Sequence, residues 1–340
     1  MRILQVTFIA LALTACGSLV KADYKRPELT LPMQWSTQET GSAWLASSGH
    51  WWTVFGDPQL THAIDDVLTR NNDLAIAGFR LQQARLDSNL SDTNLTPDVS
   101  VSGSANNTKN IRHHTNSVEG YSSSVSLSYE LDLWGKLARM REQSAWQAEA
   151  TALERQNTAL TLIGTTAQYY WQIAGINQKI DNSQRSLAIA EETKVVTTSR
   201  FTAGAVSQLD VLQATQSVLE QENNLKDLFQ QREEIRNSLA ILFNRPPSMR
   251  LPERDGLDLT QTIELKMSLP VEVIRRRPDV QSAESALRAA LAGSDVAALN
   301  FYPTVSLSAV LSAGSSVFSQ WFSEPGRVIG SSVVLPFVEW

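Results

Sequence analysis

Two stretches of this chain, LTPDVSVSG (Leu95–Gly103) and FYPTVSLSA (Phe301–Ala309), have the same residue pattern. After the proline of each stretch, serine alternates with valine or leucine. An alternation of period two predicts a β-strand with one apolar face and one serine-rich face. Helical patterns precede both copies, and proline ends a helix. Each stretch therefore predicts a change from helix to strand.

The two stretches belong to a longer repeat, whose copies are offset by the distance from Asp73 to Asp279. The same offset pairs Leu81 with Leu287, Ala84 with Ala290, Pro97 with Pro303, and Trp134 with Trp340. A repeat of this kind marks one supersecondary unit used twice. The unit is predicted to be a helix, a strand, a long loop, a strand and a long helical hairpin.

The repeat sets the expected domain boundaries. The first copy, residues 59–264, is predicted to hold a helix, strands at 98–108 and 121–133, and a helical hairpin at 135–244. The second copy, residues 265–340, is predicted to hold a helix at 278–300 and strands at 304–311 and 328–338, without a hairpin. We therefore expect the chain to be C-terminally truncated relative to the repeat, and unable to close a functional tunnel by itself.

The second strand of the first copy, within SVSLSYELDL (Ser124–Leu133), has the clearest alternation. Valine, leucine and tyrosine occupy one face, and serine, Glu130 and Asp132 occupy the other. This pattern fits a strand of a soluble sandwich. It fits equally well a strand of an outer-membrane barrel with a wet lumen. The pattern alone leaves both architectures open.

Two very long helices follow Gly135. Apolar residues recur there at spacings of three and four, which predicts a coiled-coil seam. Helices of about sixty and about forty residues far exceed the usual length in globular proteins and are typical of coiled coils, stalks or tubes. The seam of the second helix is Val211, Ala214, Val218, Gln221, Leu225, Leu228, Arg232, Ile235, Leu239 and Leu242.

The two helices are joined by RFTAGAVSQLDVLQA (Arg200–Ala214), whose residues specify a tight turn. Gly204 suits the left-handed position after a helix. Ser207 is a good N-cap with Asp210 three positions later, and Val206 can pack on Val211. These local roles explain the turn completely, so a partner contact would be an additional role.

The N-terminus, MRILQVTFIALALTAC (Met1–Cys16), predicts a lipoprotein signal peptide over residues 1–15. Small residues before Cys16 suit cleavage and acylation of that cysteine, for example with palmitate. The alternative is an ordinary signal peptide with a chance cysteine. Gly17, rather than aspartate, favours sorting to the outer membrane. Residues 16–58 are predicted to form a lipidated, extended segment on a larger body.

Composition excludes several classes of protein. The formal net charge is −6, so nucleic acid is not an expected partner. Cys16 is the only cysteine, which excludes an intramolecular disulfide. After residue 15, no apolar run reaches the roughly 18–20 residues of a helical membrane span.

Nothing in the sequence indicates an enzyme. The adjacent His113 and His114 lie in a polar loop without a carboxylate at metal-ligand spacing, and His50 and His62 are isolated. No nucleophile elbow, phosphate loop or HExxH motif occurs. We predict no catalytic residue, no metal site and no cofactor.

Five segments together resemble one family, the outer membrane efflux proteins. These are the TolC-like outer membrane factors, and the resemblance is to the lipoprotein branch that serves RND-type drug efflux systems. The segments occur in family order: YKRP (Tyr24–Pro27), HWWTVFGDPQL (His50–Leu60), YELDLWGK (Tyr129–Lys136), the hairpin turn Arg200–Ala214, and RRRPDVQSAE (Arg275–Glu284).

The resemblance implies a mixed α and β membrane protein and a homotrimer. Each protomer would give four strands to a twelve-stranded outer-membrane β-barrel, and its coiled-coil hairpins would build a periplasmic α-barrel. Trp134 and Trp340 would mark the strand–helix boundary at the membrane interface. The residues expected to face the barrel lumen are Ser100, Ser102, Ser126, Ser128, Glu130 and Asp132.

The resemblance also implies partners. The hairpin tip would contact a periplasmic adaptor (membrane fusion protein) that joins an inner-membrane transporter. The matching residues here are Arg200, Gly204, Val206, Ser207 and Asp210, although capping already explains three of them.

The implied function is a passive conduit that exports drugs or other small molecules through the outer membrane of a Gram-negative bacterium and contributes to multidrug resistance. The protein would be lipid-anchored and would extend into the periplasm. Two alternatives remain: a lipid-anchored periplasmic coiled-coil protein without a pore, and a TolC-like channel for type I protein secretion.

Overall fold

The computed structural model describes residues 21–26, 50–109, 116–258 and 270–336, with no side-chain description for 270–272. The signal peptide, Cys16, His113, His114 and Trp340 lie outside the described residues. The chain forms two compact units. One combines Met1–Leu29, Arg80–Leu153 and Asp279–Trp340, and the other combines Thr30–Phe79 with Glu154–Pro278. Each unit therefore draws on both copies of the predicted repeat.

The elements alternate between long helices and strand pairs. The helices are α1 (Pro58–Arg70), α2 (Asn72–Thr93), α3 (Lys136–Thr202), α4 (Gln208–Leu242), α5 (Pro270–Arg276) and α6 (Pro278–Leu299). The strands are β1 (Asp98–Thr108), β2 (Val118–Leu131), β3 (Thr304–Ser315) and β4 (Gly326–Val334). Short 3-10 turns lie at Trp51–Phe55 and Phe318–Gln320.

Helix α3 has 67 residues and α4 has 35, which correspond to lengths of about 100 Å and about 50 Å. The predicted seam of α4 is confirmed, because its positions are all buried or half-buried. Val218, Leu228 and Leu239 are the buried members. Among the helices within the described part of the chain, none is both long and apolar enough to cross a membrane.

The core of the unit that contains the hairpin packs the start of α1 against the middle of α3. Trp52, Leu60 and Ile64 are buried with Ile163 and Tyr170 in one cluster. A neighbouring cluster is completed by the C-terminal part of α4, and its buried members are Val67, Leu74, Leu162, Ile173, Leu239 and Phe243. Trp52 and Leu60 of the segment HWWTVFGDPQL are therefore core residues.

Asp57 links this core to three segments of the chain. Its carboxylate accepts the backbone N–H groups of Gln59 and Leu60 at 2.9 and 3.1 Å, which caps α1. It also accepts the Tyr170 hydroxyl at 2.9 Å, and Arg254 approaches at 3.2 Å. Burial of the Tyr170 hydroxyl, followed by this hydrogen bond, raises the pKa of Tyr170.

In the other unit, Lys21–Arg26 lies on helices α3 and α6. The Arg26 guanidinium binds both carboxylate oxygens of Glu284 at 2.7 Å. The Arg288 guanidinium lies 4.6 Å from the ring centres of both Tyr24 and Trp146. A cation between two aromatic faces is held by both ring quadrupoles. Tyr24 and Arg26 of the YKRP motif therefore hold this segment on the two helices.

The strands form one sheet in the order β1-β2-β3-β4, and every neighbouring pair is antiparallel. Strand β2 ends at Leu131, before the predicted boundary at 133. The reason is Asp132, whose carboxylate accepts the N–H groups of Leu137 and Ala138 at the start of α3 at 3.0 and 2.9 Å. Gly135 permits the tight connection because its φ is 79°.

Strand β1 has the predicted bounds, whereas β2 begins at Val118 instead of 121, and the bounds of β3 and β4 also differ from the prediction. Strand β3 extends to Ser315, beyond the predicted end at 311, because β2 pairs with it as far as Tyr121. Strand β4 begins at Gly326 and ends at Val334, before the predicted end at 338. Residues 337–340 lie outside the described part of the chain.

Candidate functional site

One face of the sheet carries a ladder of paired serine hydroxyls. Strand register places serines of β1 directly opposite serines of β2. Their hydroxyl oxygens lie 2.6 to 2.8 Å apart in three successive pairs: Ser100 with Ser126, Ser102 with Ser124, and Ser104 with Ser122. Since the side chains alternate between faces, these pairs form one continuous polar stripe.

The polar stripe continues across the sheet. Ser128 and Glu130 lie on the same face, opposite Ser308 and Ser306 of β3. Five of the six residues predicted for the lumen therefore share one face, and the structure brings them together. Asp132 differs, because it lies after the strand and its carboxylate caps α3.

The opposite face of the sheet is apolar and exposed. Val101 is 76% exposed and pairs with Val125, and Ile329 of β4 is 72% exposed. Further exposed apolar side chains on this face are Val99, Leu127, Leu307, Leu311 and Val333. A contiguous exposed apolar face of this kind marks a membrane or protein contact.

Strand β4 follows the two-faced pattern less strictly than the other strands. Val328 and Val334 fall on the serine face, and Arg327 and Ser331 fall on the apolar face. The serine face is therefore most uniform over β1, β2 and β3.

The hairpin tip adopts the turn that its sequence predicts. Gly204 has a φ of 73°, in the left-handed region. Ser207 caps α4, and the Asp210 carboxylate accepts the backbone N–H of Ser207 at 2.7 Å and its hydroxyl at 2.6 Å. The hydroxyl bond, with the backbone bond, lowers the pKa of Asp210. The predicted capping box is thus confirmed.

Exposed apolar side chains surround this tip, and they were not among the predicted contact residues. Val195 is 65% exposed on α3, and Leu209 and Leu212 are 62% and 59% exposed on α4. Leu209 and Leu212 lie three residues apart, outside the buried seam, so a second apolar stripe was detectable in the sequence.

A groove between α3 and α4 lies close to the tip. Its volume is about 510 Å³, and its walls combine apolar, hydroxyl and charged side chains. They are Glu191, Lys194, Val195, Thr198, Ser199, Thr202, Val218 and Glu222. The mixture suits a partner surface that is itself amphipathic.

Comparison with known proteins gives the family. The profile of the family described as "Outer membrane efflux protein" matches residues 63–245, which is more than half of the chain. A similar protein, "Pyoverdine export outer membrane protein OpmQ" of Pseudomonas aeruginosa, is 28% identical over 99% of this chain and 73% of its own length.

Two other relatives are similar over most of the chain. "Toxin and drug export protein A" of Aggregatibacter actinomycetemcomitans is 29% identical over 85% of this chain. "Cation efflux system protein CusC" of Escherichia coli K12 is 27% identical over 93%. The chain spans 64% and 69% of the lengths of these relatives.

Solved structures share the fold. The outer-membrane channel OprN is 26% identical, with a TM-score of 0.80 over 94% of this chain and 73% of its own. A crystal structure of CusC has the same TM-score at 24% identity, over 93% of this chain and 72% of its own. The predicted TolC-like fold is confirmed, and the protein is a transport component and not an enzyme. By profile and by fold, the chain belongs to the outer membrane efflux protein family.

Proposed function

We propose that this protein is the outer-membrane exit channel of a tripartite efflux pump. In this proposal it is a passive conduit, and the inner-membrane transporter supplies the energy. The observation that carries the proposal is the sheet with two chemically different faces. An apolar face suits lipid and a hydroxyl face suits water, as expected of strands around an aqueous lumen.

The serine ladder suits a conduit with broad cargo. Each hydroxyl can both donate and accept a hydrogen bond, and none carries charge. Glu130 is the one carboxylate among the predicted lumen residues that the sheet itself presents, since Asp132 caps a helix. A hydrated wall that is uncharged apart from Glu130 neither binds a permeating solute tightly nor repels it strongly.

The free edges of the sheet support a closed homotrimer. Strands β1 and β4 are the outer strands of the sheet. Because the order alternates in direction, β4 of one copy can pair antiparallel with β1 of the next. Three copies would then give the twelve strands of one barrel, and closure leaves no edge exposed.

The hairpin tip is the proposed contact with the periplasmic adaptor. Ser207, Asp210 and Gly204 hold the shape of the turn, and Arg200 and Val206 lie beside them. The exposed stripe at Leu209 and Leu212 and the groove near the tip add apolar area for an amphipathic helix. Acylation of Cys16 would anchor the assembly to the outer membrane.

The cargo is proposed to be drugs or other small molecules. The names of the relatives include pyoverdine, cations, and toxins with drugs. The pairing of toxin with drug in one name keeps protein secretion as the second candidate.

Drug susceptibility of a deletion strain tests the proposed cargo and partners. We expect the deletion to lower the inhibitory concentration of several unrelated drugs, and the wild-type gene to restore it. Pull-down from the complemented strain should recover a periplasmic adaptor. Replacement of both Leu209 and Leu212 by glutamate should abolish recovery and complementation without lowering the amount of protein in the outer membrane. Loss of a secreted protein with unchanged susceptibility would favour the second candidate.

A further inference from the structure

The loop between β3 and β4 carries a compact aromatic cluster. Phe318, Trp321 and Phe322 lie in this loop, and Trp321 stacks on Phe322 with ring centres 5.5 Å apart and planes at 8°. The Phe318 and Trp321 rings lie 5.7 Å apart. Tyr121 of β2 meets both, at 5.3 and 5.5 Å.

The cluster lies on the apolar face of the sheet. Tyr121 is an even number of residues from Val125 and Leu127, so its side chain emerges on the same face as theirs. Because the loop rings pack on Tyr121, the loop folds towards this face and extends it beyond the end of β3 at Ser315. A loop folded towards the serine face could not have packed its rings on Tyr121.

The cluster also lies at a sharp boundary in polarity. On the helix side of Tyr121, this face is mostly apolar as far as Leu131. On the other side, the next residues on the face are Glu119 and its partner Asn107. The Tyr121 hydroxyl donates to a Glu119 carboxylate oxygen at 2.9 Å, so its polar end points across the boundary.

The length of the apolar face matches a bilayer. From Tyr121 to Leu131 the strand rises about 33 Å at roughly 3.3 Å per residue. With the strand tilt of about 40° found in such barrels, this gives a band about 25 Å tall. A second aromatic pair, Trp134 and Tyr302 at 5.5 Å, closes the other end, where the Trp134 indole donates to the Pro303 carbonyl at 2.7 Å.

The outer rings of the cluster have no cover within the described chain. Phe318 is 66% exposed and Phe322 is 71% exposed. Trp and Tyr side chains are enriched where a bilayer meets water, since each ring is apolar and carries one polar group. Phe318 packs on Tyr121, and Phe322 stacks on Trp321. Glu324 is the loop's own acidic group.

We propose that the β3–β4 loop is an anchor in the outer leaflet of the membrane. Phe318 and Phe322 insert at the boundary between headgroups and acyl chains. The occupant is lipid rather than another protein, because the cluster continues the apolar face at the level where polarity changes. This inference rests on the proposed placement of the sheet in the outer membrane.

Nitroxide accessibility tests the anchor. In the Cys16→Ser background, single labels are placed at Phe322→Cys, Leu127→Cys, Ser102→Cys and Thr108→Cys of the full protein in liposomes. Collisions with oxygen report lipid, and collisions with a water-soluble nickel chelate report water. We expect the ratio of oxygen to nickel collisions at 322 to match that at 127 and to exceed that at 108 several-fold.

The reference labels separate two kinds of failure. A lipid-exposed label at 127 with a water-exposed label at 322 would overturn the anchor and leave the proposed channel standing. A water-exposed label at 127 would overturn the placement of the sheet, and the anchor with it. Strong spin–spin broadening at 322 would show that a second copy covers the loop, which also contradicts a lipid contact.

Discussion

At the scale of single residues, three carboxylates cap the starts of helices, and Asp57 also joins segments that are far apart in the sequence. Asp57 is buried and receives hydrogen bonds from the α1 backbone and from Tyr170, with Arg254 as ion-pair partner. Asp132 joins the end of β2 to the start of α3 in the same way. Asp210 completes the capping box at the hairpin tip. Each of these carboxylates therefore stabilises the start of a helix.

Asp57→Ala is expected to destabilise the unit that contains the hairpin by about 2–3 kcal/mol, since it removes the cap of α1, the shorter hydrogen bond of the Tyr170 hydroxyl and the ion pair to Arg254. Thermal unfolding followed by circular dichroism measures the loss. Asp65→Ala is the matched control, because Asp65 is exposed on the same helix. Equal melting temperatures for the two variants would contradict this role of Asp57.

The hairpin tip is expected to loosen in acid. Because Ser207 lowers the pKa of Asp210, the capping box stabilises the tip above the usual aspartate pKa of about 3.9 and is lost as pH falls through the lowered value. Hydrogen exchange of the tip amides, corrected for intrinsic rates, should show this loss of protection in the wild type. Asp210→Asn should be less protected at neutral pH and should show no further loss in acid. An identical profile for both proteins would refute this explanation.

At the scale of elements, the sheet and the hairpin each present two different faces. Adjacent positions of β1 point in opposite directions, so Val101 and Ser102 allow a matched comparison. Val101→Arg would place a charge against lipid, at a cost of up to about 2–4 kcal/mol near the bilayer centre. Ser102→Arg would place the same charge in water.

We therefore expect Val101→Arg to reduce strongly the amount of assembled protein in the outer membrane. Ser102→Arg should assemble normally and should restrict passage of cationic cargo. Quantitative blotting of outer-membrane fractions, with extraction in mild detergent, measures assembly. Assembly of both variants at the wild-type level would mean that the apolar face does not contact lipid.

Elements with a strict local period could be predicted from the sequence, and long-range contacts could not. The alternation of Val99 to Ser102 fixes the faces of β1, and the stepping from Val211 to Leu242 fixes the seam of α4. The aromatic cluster could not be predicted, because Tyr121 meets Phe318 and Trp321 only through the pairing of β2 with β3. The sequence alternation predicts that β2 continues to residue 133, although the strand ends at Leu131. The alternation does not show that Asp132 caps α3, because this role depends on the turn that follows.

At the scale of the whole molecule, the family assignment and the faces of the sheet lead to one account. The chain is a member of the outer membrane efflux protein family, and its proposed role is a passive outer-membrane exit. The competing interpretation is a lipid-anchored coiled-coil protein without a pore. It does not explain why one face of the sheet carries paired serine hydroxyls and the other is apolar. The two accounts differ in whether water fills the space beside Ser102.

Conductance through planar bilayers decides between them most directly. Full-length protein extracted from the outer membrane of its own cells and carrying Ser102→Cys is expected to form steady ion-conducting pores, and the protein without this substitution is the control for Cys16. A water-soluble, charged thiol reagent should then change their conductance in steps, whereas the Val101→Cys protein should not respond. Absence of pores, or pores that respond to the reagent at 101 and not at 102, would contradict a channel lined by the serine face.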